Sequence, residues 1–195
     1  IIILLTVVVF QWGSQIVELY NTYRENQKIT ARWKDFGEVL PTDDVVFYIK
    51  QGDFLITRQV KGSNLQHVKP DAWDVVGVVI SGQKLNNIGG LKFKRSVLFF
   101  PEKETELSEK SQEFLDELLI TLNTIGYKFE ISFFADDGHG RTENQKMADG
   151  RKRVRAVQDY LLSEGTLPPD KILVAEKSER KGVNGHAWVE IRPVE

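Results

Sequence analysis

The sharpest alternation of apolar and polar positions lies in the carboxy-terminal half of the chain. Residues 91–100 read as a strand, and a polar stretch follows at 102–106. Phe114, Leu115, Leu118, Leu119, Leu122 and Ile125 then recur at three-to-four spacing, which predicts an amphipathic helix. Ser108 is placed to cap its start and Gly126 to close it. Residues 128–134 read as a strand, and Asp136, Asp137, Gly138, His139 and Gly140 as a loop. Thr142, with Gln145 three residues on, forms a capping box for a second helix running to Ser163. Gly165, Pro168 and Pro169 end it, and residues 172–175 and 187–191 supply the last strands. The order β-α-β-α-β-β predicts an α/β (α+β) two-layer sandwich, with helices on one face of a mixed sheet.

Upstream the pattern is looser. Ile16, Leu19, Tyr20, Tyr23, Trp33, Phe36 and Leu40 fall at roughly helical spacing, around a polar stretch at 24–28. This predicts a helical stalk, with Pro41, Asp43 and Asp44 punctuating its end. Residues 45–50 and 54–60 predict a strand–turn–strand unit, with Gly52 and Asp53 in the turn. A β-branched run at 75–80 and a loop-like stretch at 82–90 complete a small β-rich connector. The expected organisation is therefore 1–13 the end of a membrane helix, 14–43 a membrane-proximal stalk, 44–90 the connector, and 91–195 the main domain.

Residues 1–10 are apolar throughout, yet a bilayer-spanning helix needs about 20 such residues. Two readings compete: a buried strand or core helix, and a transmembrane helix whose first turns lie upstream of Ile1. The second is preferred here, with Trp12, Tyr20 and Tyr23 at or beyond the water interface. A signal-peptide core fits less well, because Gly13, Ser14 and Gln15 make a poor cleavage site. The expected location is the inner membrane, single-pass, with the carboxy-terminal domain in the periplasm.

Composition narrows the chemistry. The 195 residues are 41% hydrophobic and 28% charged, with net charge −2. That balance argues against nucleic acid as the main partner, since such proteins usually carry a basic excess. The absence of cysteine excludes disulfides, thiolate metal sites and thiol nucleophiles. His67, His139 and His186 show no metal-ligand spacing, so neither a metal nor a cofactor is expected. No G-x-S-x-G, H-E-x-x-H, P-loop or dinucleotide glycine pattern occurs, and a non-enzyme is expected.

Several short motifs point to one family. Val97, Leu98, Phe99 and Phe100, followed by Glu106 and Leu107, form an opening strand, loop and helix start. Ile131, Ser132, Phe133, Phe134, Ala135 and Asp136 form a strand end that closes on an acid. Asn144 follows eight residues later, and Arg155, Ala156, Val157, Tyr160, Leu161 and Gly165 mark the end of the second helix. Asn184 with Val189, Glu190, Ile191 and Arg192 lies in the closing strand. In order and spacing, about 100 residues resemble the OmpA-like peptidoglycan-binding family, which includes outer-membrane anchors, lipoproteins and MotB-type stator subunits. Three features depart from its pattern. Phe133, Phe134 and Ala135 stand in place of Gly-His-Thr, Met147 and Ala148 in place of Leu-Ser, and Ala187 and Trp188 in place of paired arginines.

The resemblance implies a ligand, the diaminopimelate-bearing stem peptide of peptidoglycan, whose end carries both an ammonium and a carboxylate. It assigns the ammonium to Asp136 and the carboxylate to an arginine of the second helix, with Asn144 as a further donor. Counting from Asn144 gives Arg151, and counting back from Tyr160 gives Arg153. Met147, Val154 and Leu161 define the core stripe, which places Asn144 and Arg151 on one flank and Arg153 on the other; Arg151 is preferred. Asp137, His139 and Arg153 are further candidates. Plainer roles stand beside these: turn and cap residues for Asp136 and Asp137, a loop position for His139, first-turn placement for Asn144, and a solvated basic face for Arg151. Trp188 is expected to pack against a helix. Two functions follow. One is a peptidoglycan-binding tether for an envelope complex, possible partners being a second copy of the chain and a membrane protein in a stator-like motor. The other is a structural oligomerisation module on the same fold that has lost the ligand.

Overall fold

The computed structural model describes residues 39–68, 74–83, 91–101, 103–134, 142–164, 167–175 and 187–194. The expected membrane helix, and the stalk as far as residue 38, lie outside these. The last residues of the expected stalk are described and are not helical: residues 41 and 42 form a turn, and Leu40 is exposed. Among the described residues, no helix is long and apolar enough to cross a membrane.

The first elements are β1 (Asp44–Gln51) and β2 (Phe54–Lys61), paired antiparallel from Gln51 opposite Phe54 to Asp44 opposite Lys61. Only Gly52 and Asp53 separate them. Gly52 has φ +61° and Asp53 does not have positive φ, the pattern of a type II′ hairpin turn, which needs glycine at its first central position. A short 3-10 turn, Gly62–His67, follows β2. The remaining strands are β3 (Asp74–Gln83), β4 (Leu91–Phe100), β5 (Lys128–Phe134), β6 (Ile172–Val174) and β7 (Ala187–Val194). Helix α1 (Glu109–Thr124) separates β4 from β5, and α2 (Glu143–Ser163) separates β5 from β6. The seven strands of the described residues join one sheet in the order β2-β1-β3-β4-β7-β5-β6, with β5 and β6 parallel and the other neighbours antiparallel.

The β-α-β-α-β-β order of residues 91–195 is thus observed, but the boundary at residue 91 is not a structural one. β3 pairs with β4 along most of its length, so the expected connector extends the same sheet.

Both helices pack on one face. Phe114, Leu115, Leu118, Leu119 and Leu122 of α1 and Val154, Val157 and Leu161 of α2 meet Leu98, Phe100, Phe129, Ile131, Phe133, Val189 and Ile191 of the strands. Gly77 of β3 admits the Phe114 ring, which a Cβ at that position would meet at 2.7 Å. Tyr48 of β1 meets the same ring edge-on, with centroids 4.8 Å apart. The helices are tied to each other by the Tyr160 hydroxyl, which donates to Asp116 Oδ1 at 2.7 Å. Burial and that acceptor push the Tyr160 pKa up to about 12.

The opposite face of the sheet is also apolar, which the two-layer expectation missed. Val45, Phe47, Val78, Ile80, Val97, Phe99 and Trp188 are each under 10% exposed and stand outside the helix-side core. Strands buried on both faces read as continuous apolar runs rather than alternating ones. The runs at 45–49 and 75–80 have that character. Trp188 lies on this face. Among the described residues it stacks on Phe134 with centroids 4.7 Å apart and meets Phe99 edge-on, both of them strand residues.

Two acids fix the start of the sheet. Asp43, 1% exposed, accepts from Leu40 N at 2.8 Å, while Lys94 Nζ donates to its two oxygens at 2.7 and 2.8 Å. Gly82 lies beneath that bridge, because a Cβ there would meet Lys94 Cε at 2.6 Å. Asp44 accepts from Lys61 Nζ and Gln59 Nε2 across the hairpin. Those donors, Lys61 foremost, hold the Asp44 carboxyl below its ordinary value. A depressed folded pKa contributes stability above the unfolded value of about 4 and loses it as pH falls through the lower folded value. Lys61→Met is therefore expected to be less stable than the parent at pH 6, with the two urea midpoints converging in acid. A midpoint difference that stays constant down to pH 2 would remove the pair from the account.

Candidate ligand-binding site

The candidate site is built where α2 crosses the end of β5. Thr142 Oγ1 accepts from Gln145 N, and Gln145 Oε1 accepts from Thr142 N, so the predicted capping box starts α2. Two turns on, Gly150 lets the helix lie directly on Phe133; a Cβ at 150 would stand 2.1 Å from the ring. This close approach turns one flank of α2 toward the sheet edge. Past β6, the Ala175 N–H donates to the Ile131 carbonyl at 2.9 Å, continuing the parallel pairing and closing the far wall.

Between helix and edge lies an open depression of about 520 Å³. Phe133, Val154, Val174 and Ala175 give it an apolar lining, and Arg151, Lys152, Arg155 and Gln158 a polar one. Arg151 and Arg155 are exposed and, among the described residues, make no ion pair. Lys152 Nζ stands 3.8 Å from Asp149, the outer limit of an ion pair. No carboxylate stands among the described lining residues. An anion with an aliphatic body is the chemistry such a surface can hold, since guanidinium groups grip carboxylates through paired hydrogen bonds.

The two arginines the sequence left in competition are placed differently. Arg151 is on the rim of the depression. Arg153 is buried at 1% exposure: its Nε donates to the Glu104 carbonyl at 2.7 Å, and its guanidinium lies 5.6 Å from the centre of the Phe100 ring. It braces α2 against the segment that leads into α1. Asn144 is exposed in the first turn of α2. Asp136, Asp137 and His139 lie outside the described residues. In sequence, Asp136 follows the last residue of β5 by two. Sequence reasoning missed Arg155 and Phe133 as lining residues. The signal for Arg155 was present: it lies one helical turn beyond Arg151 and so on the same flank.

No family model matches the chain, and no curated protein matches it. Solved structures give looser likenesses. The OmpA-like domain of FopA1 from Francisella tularensis is 14% identical with a TM-score of 0.40, covering 77% of this chain and 96% of that one. The cell wall anchor of the T6SS from Pseudomonas aeruginosa is 12% identical with a TM-score of 0.38, over 52% and 83%. The periplasmic domain of Helicobacter pylori MotB is 10% identical with a TM-score of 0.37, over 52% and 85%. Likenesses at this level do not assign the chain to a family.

Proposed function

We propose that this domain binds the stem peptide of peptidoglycan non-covalently and tethers an envelope complex to the cell wall from the periplasm. In this reading residues 1–13 belong to the attachment to the inner membrane, and the tethered complex is an oligomeric, stator-like assembly. The observation that carries the proposal is Arg151: an exposed guanidinium with no ion pair among the described residues, on the rim of a partly apolar depression at the end of β5. In the sequence Asp136 follows that strand by two residues, and this reading pairs it, as the acid, with Arg151 as the base. A zwitterionic ligand requires that pairing. The helix and strand order supports the same reading, because it is the order the sequence resemblance implies.

The test is co-sedimentation of the whole chain with purified diaminopimelate-type peptidoglycan. The parent is expected to pellet with the wall. Asp136→Ala and Arg151→Ala are each expected to weaken binding by about tenfold or more, as loss of a charged hydrogen bond does, with unchanged thermal unfolding. A parent that stays in the supernatant, or variants that pellet like the parent, would reject the roles assigned here.

One observation favours the second reading, a structural module without ligand. Arg153, the arginine in register with Tyr160 and Leu161, is used as an internal brace and does not line the depression. On that reading the parent itself fails to pellet.

A further inference from the structure

Arg155 has no part in the proposal above, yet it lines the same depression as Arg151. The two stand four residues apart on α2, hence side by side on one flank, where like charges repel. Neither has an ion pair among the described residues, and the chain as a whole is slightly acidic, at net −2. A pair of adjacent guanidiniums over Phe133 and Val174 is therefore not a by-product of a basic composition. It is complementary to two anionic groups joined by a partly aliphatic stretch.

We infer that Arg155 reads a second carboxylate, so that the site selects a ligand with two acidic groups rather than one. This rests on the stem-peptide reading and sharpens it. In a γ-linked D-glutamyl-diaminopimelate segment, the glutamate keeps a free α-carboxylate and the diaminopimelate has one of its own. Arg151 takes the diaminopimelate carboxylate and Arg155 the glutamate one, each able to form two parallel hydrogen bonds. Phe133 and Val174 receive the methylene groups of the diaminopimelate side chain, and the glutamyl amide spans the rest of the distance. Amidation of the glutamate removes a negative charge and replaces an acceptor oxygen with a donor, which a guanidinium cannot accept from. The site thus discriminates between walls with free and amidated glutamate.

Calorimetry on the whole chain tests this with two synthetic probes: L-alanyl-γ-D-glutamyl-diaminopimelate, and the same tripeptide amidated at the glutamate α-carboxylate. The parent is expected to bind the free acid about tenfold more tightly than the amide, the worth of one charge-assisted contact. Arg155→Gln is expected to bring the free acid down to the affinity of the amide and to leave the amide unchanged. Equal binding of both probes by the parent, or an equal loss for both in Arg155→Gln, overturns the role of Arg155 while leaving the stem-peptide reading in place. No binding of either probe overturns the stem-peptide reading and this inference with it. Pyrophosphate displacing the tripeptide at equal concentration would mark a bare anion site and also overturn the inference.

Discussion

Alanine at Gly150 is expected to destabilise the protein by about 1–3 kcal/mol, the usual cost of forcing atoms into a filled core. The sign is opposite to the rule for a helix interior, where alanine is better than glycine by about 1 kcal/mol. Close approach decides it. A Cβ at 150 would stand 2.1 and 2.2 Å from two Phe133 ring atoms, and that ring is 2% exposed, so it has little space to retreat into. Either α2 lifts from the sheet or Phe133 leaves its rotamer. Because Phe133 also lines the depression, ligand binding should fall with stability. Gly126 gives the matched control. It is exposed, lacks positive φ, and has nothing within 4 Å of an added Cβ. Alanine there should be neutral or stabilise by up to about 1 kcal/mol, by narrowing the unfolded ensemble. Urea midpoints of the two variants should move in opposite directions, and a Gly150→Ala midpoint at or above that of the parent would sink the packing argument.

The same two glycines show which features can be read from sequence. Gly126 looked like the left-handed close of α1, but the helix ends at Thr124 with Ile125 extended, and no left-handed residue is needed. Signals carried by side chains within four residues were legible. Ser108 caps α1, Thr142 and Gln145 form the capping box, and Gly52 makes the hairpin turn. Signals whose partner is distant were not. Asp43 read as turn punctuation, but its partner Lys94 is 51 residues away and reaches it over Gly82. Arg153 sat in a basic run that resembles a solvated face, but the distant Glu104 carbonyl and Phe100 ring give it an interior role. Sheet order is the extreme case. Continuous apolar runs mark strands buried on both sides, but nothing local states that β3 will pair with β4, or that β7 will insert between β4 and β5.

Residues 91–195 expressed alone are expected not to fold, although their sequence reads as a complete domain. Two losses decide this. Removing β3 bares β4 from Leu91 to Leu98, and a long edge with Phe93 and Val97 on it is a template for aggregation. The same cut uncovers Phe114, which is fully buried beneath Gly77 of β3 and Tyr48 of β1. The weight of that second loss can be measured in the whole chain. Phe114→Ala should cost about 3–5 kcal/mol, as other buried phenylalanine truncations do, a large share of the roughly 5–15 kcal/mol that holds a domain folded. The fragment forfeits more, because Val76 and Val79 of β3 leave the helix-side core as well. It should therefore be insoluble, or bind a hydrophobic dye and unfold without a cooperative transition. A soluble fragment with a sharp urea transition would show that β1–β3 only dock onto an independent domain, and the boundary would return to residue 91. Wall-binding experiments need the whole chain for this reason, since a fragment that fails to pellet would report its own unfolding rather than the site.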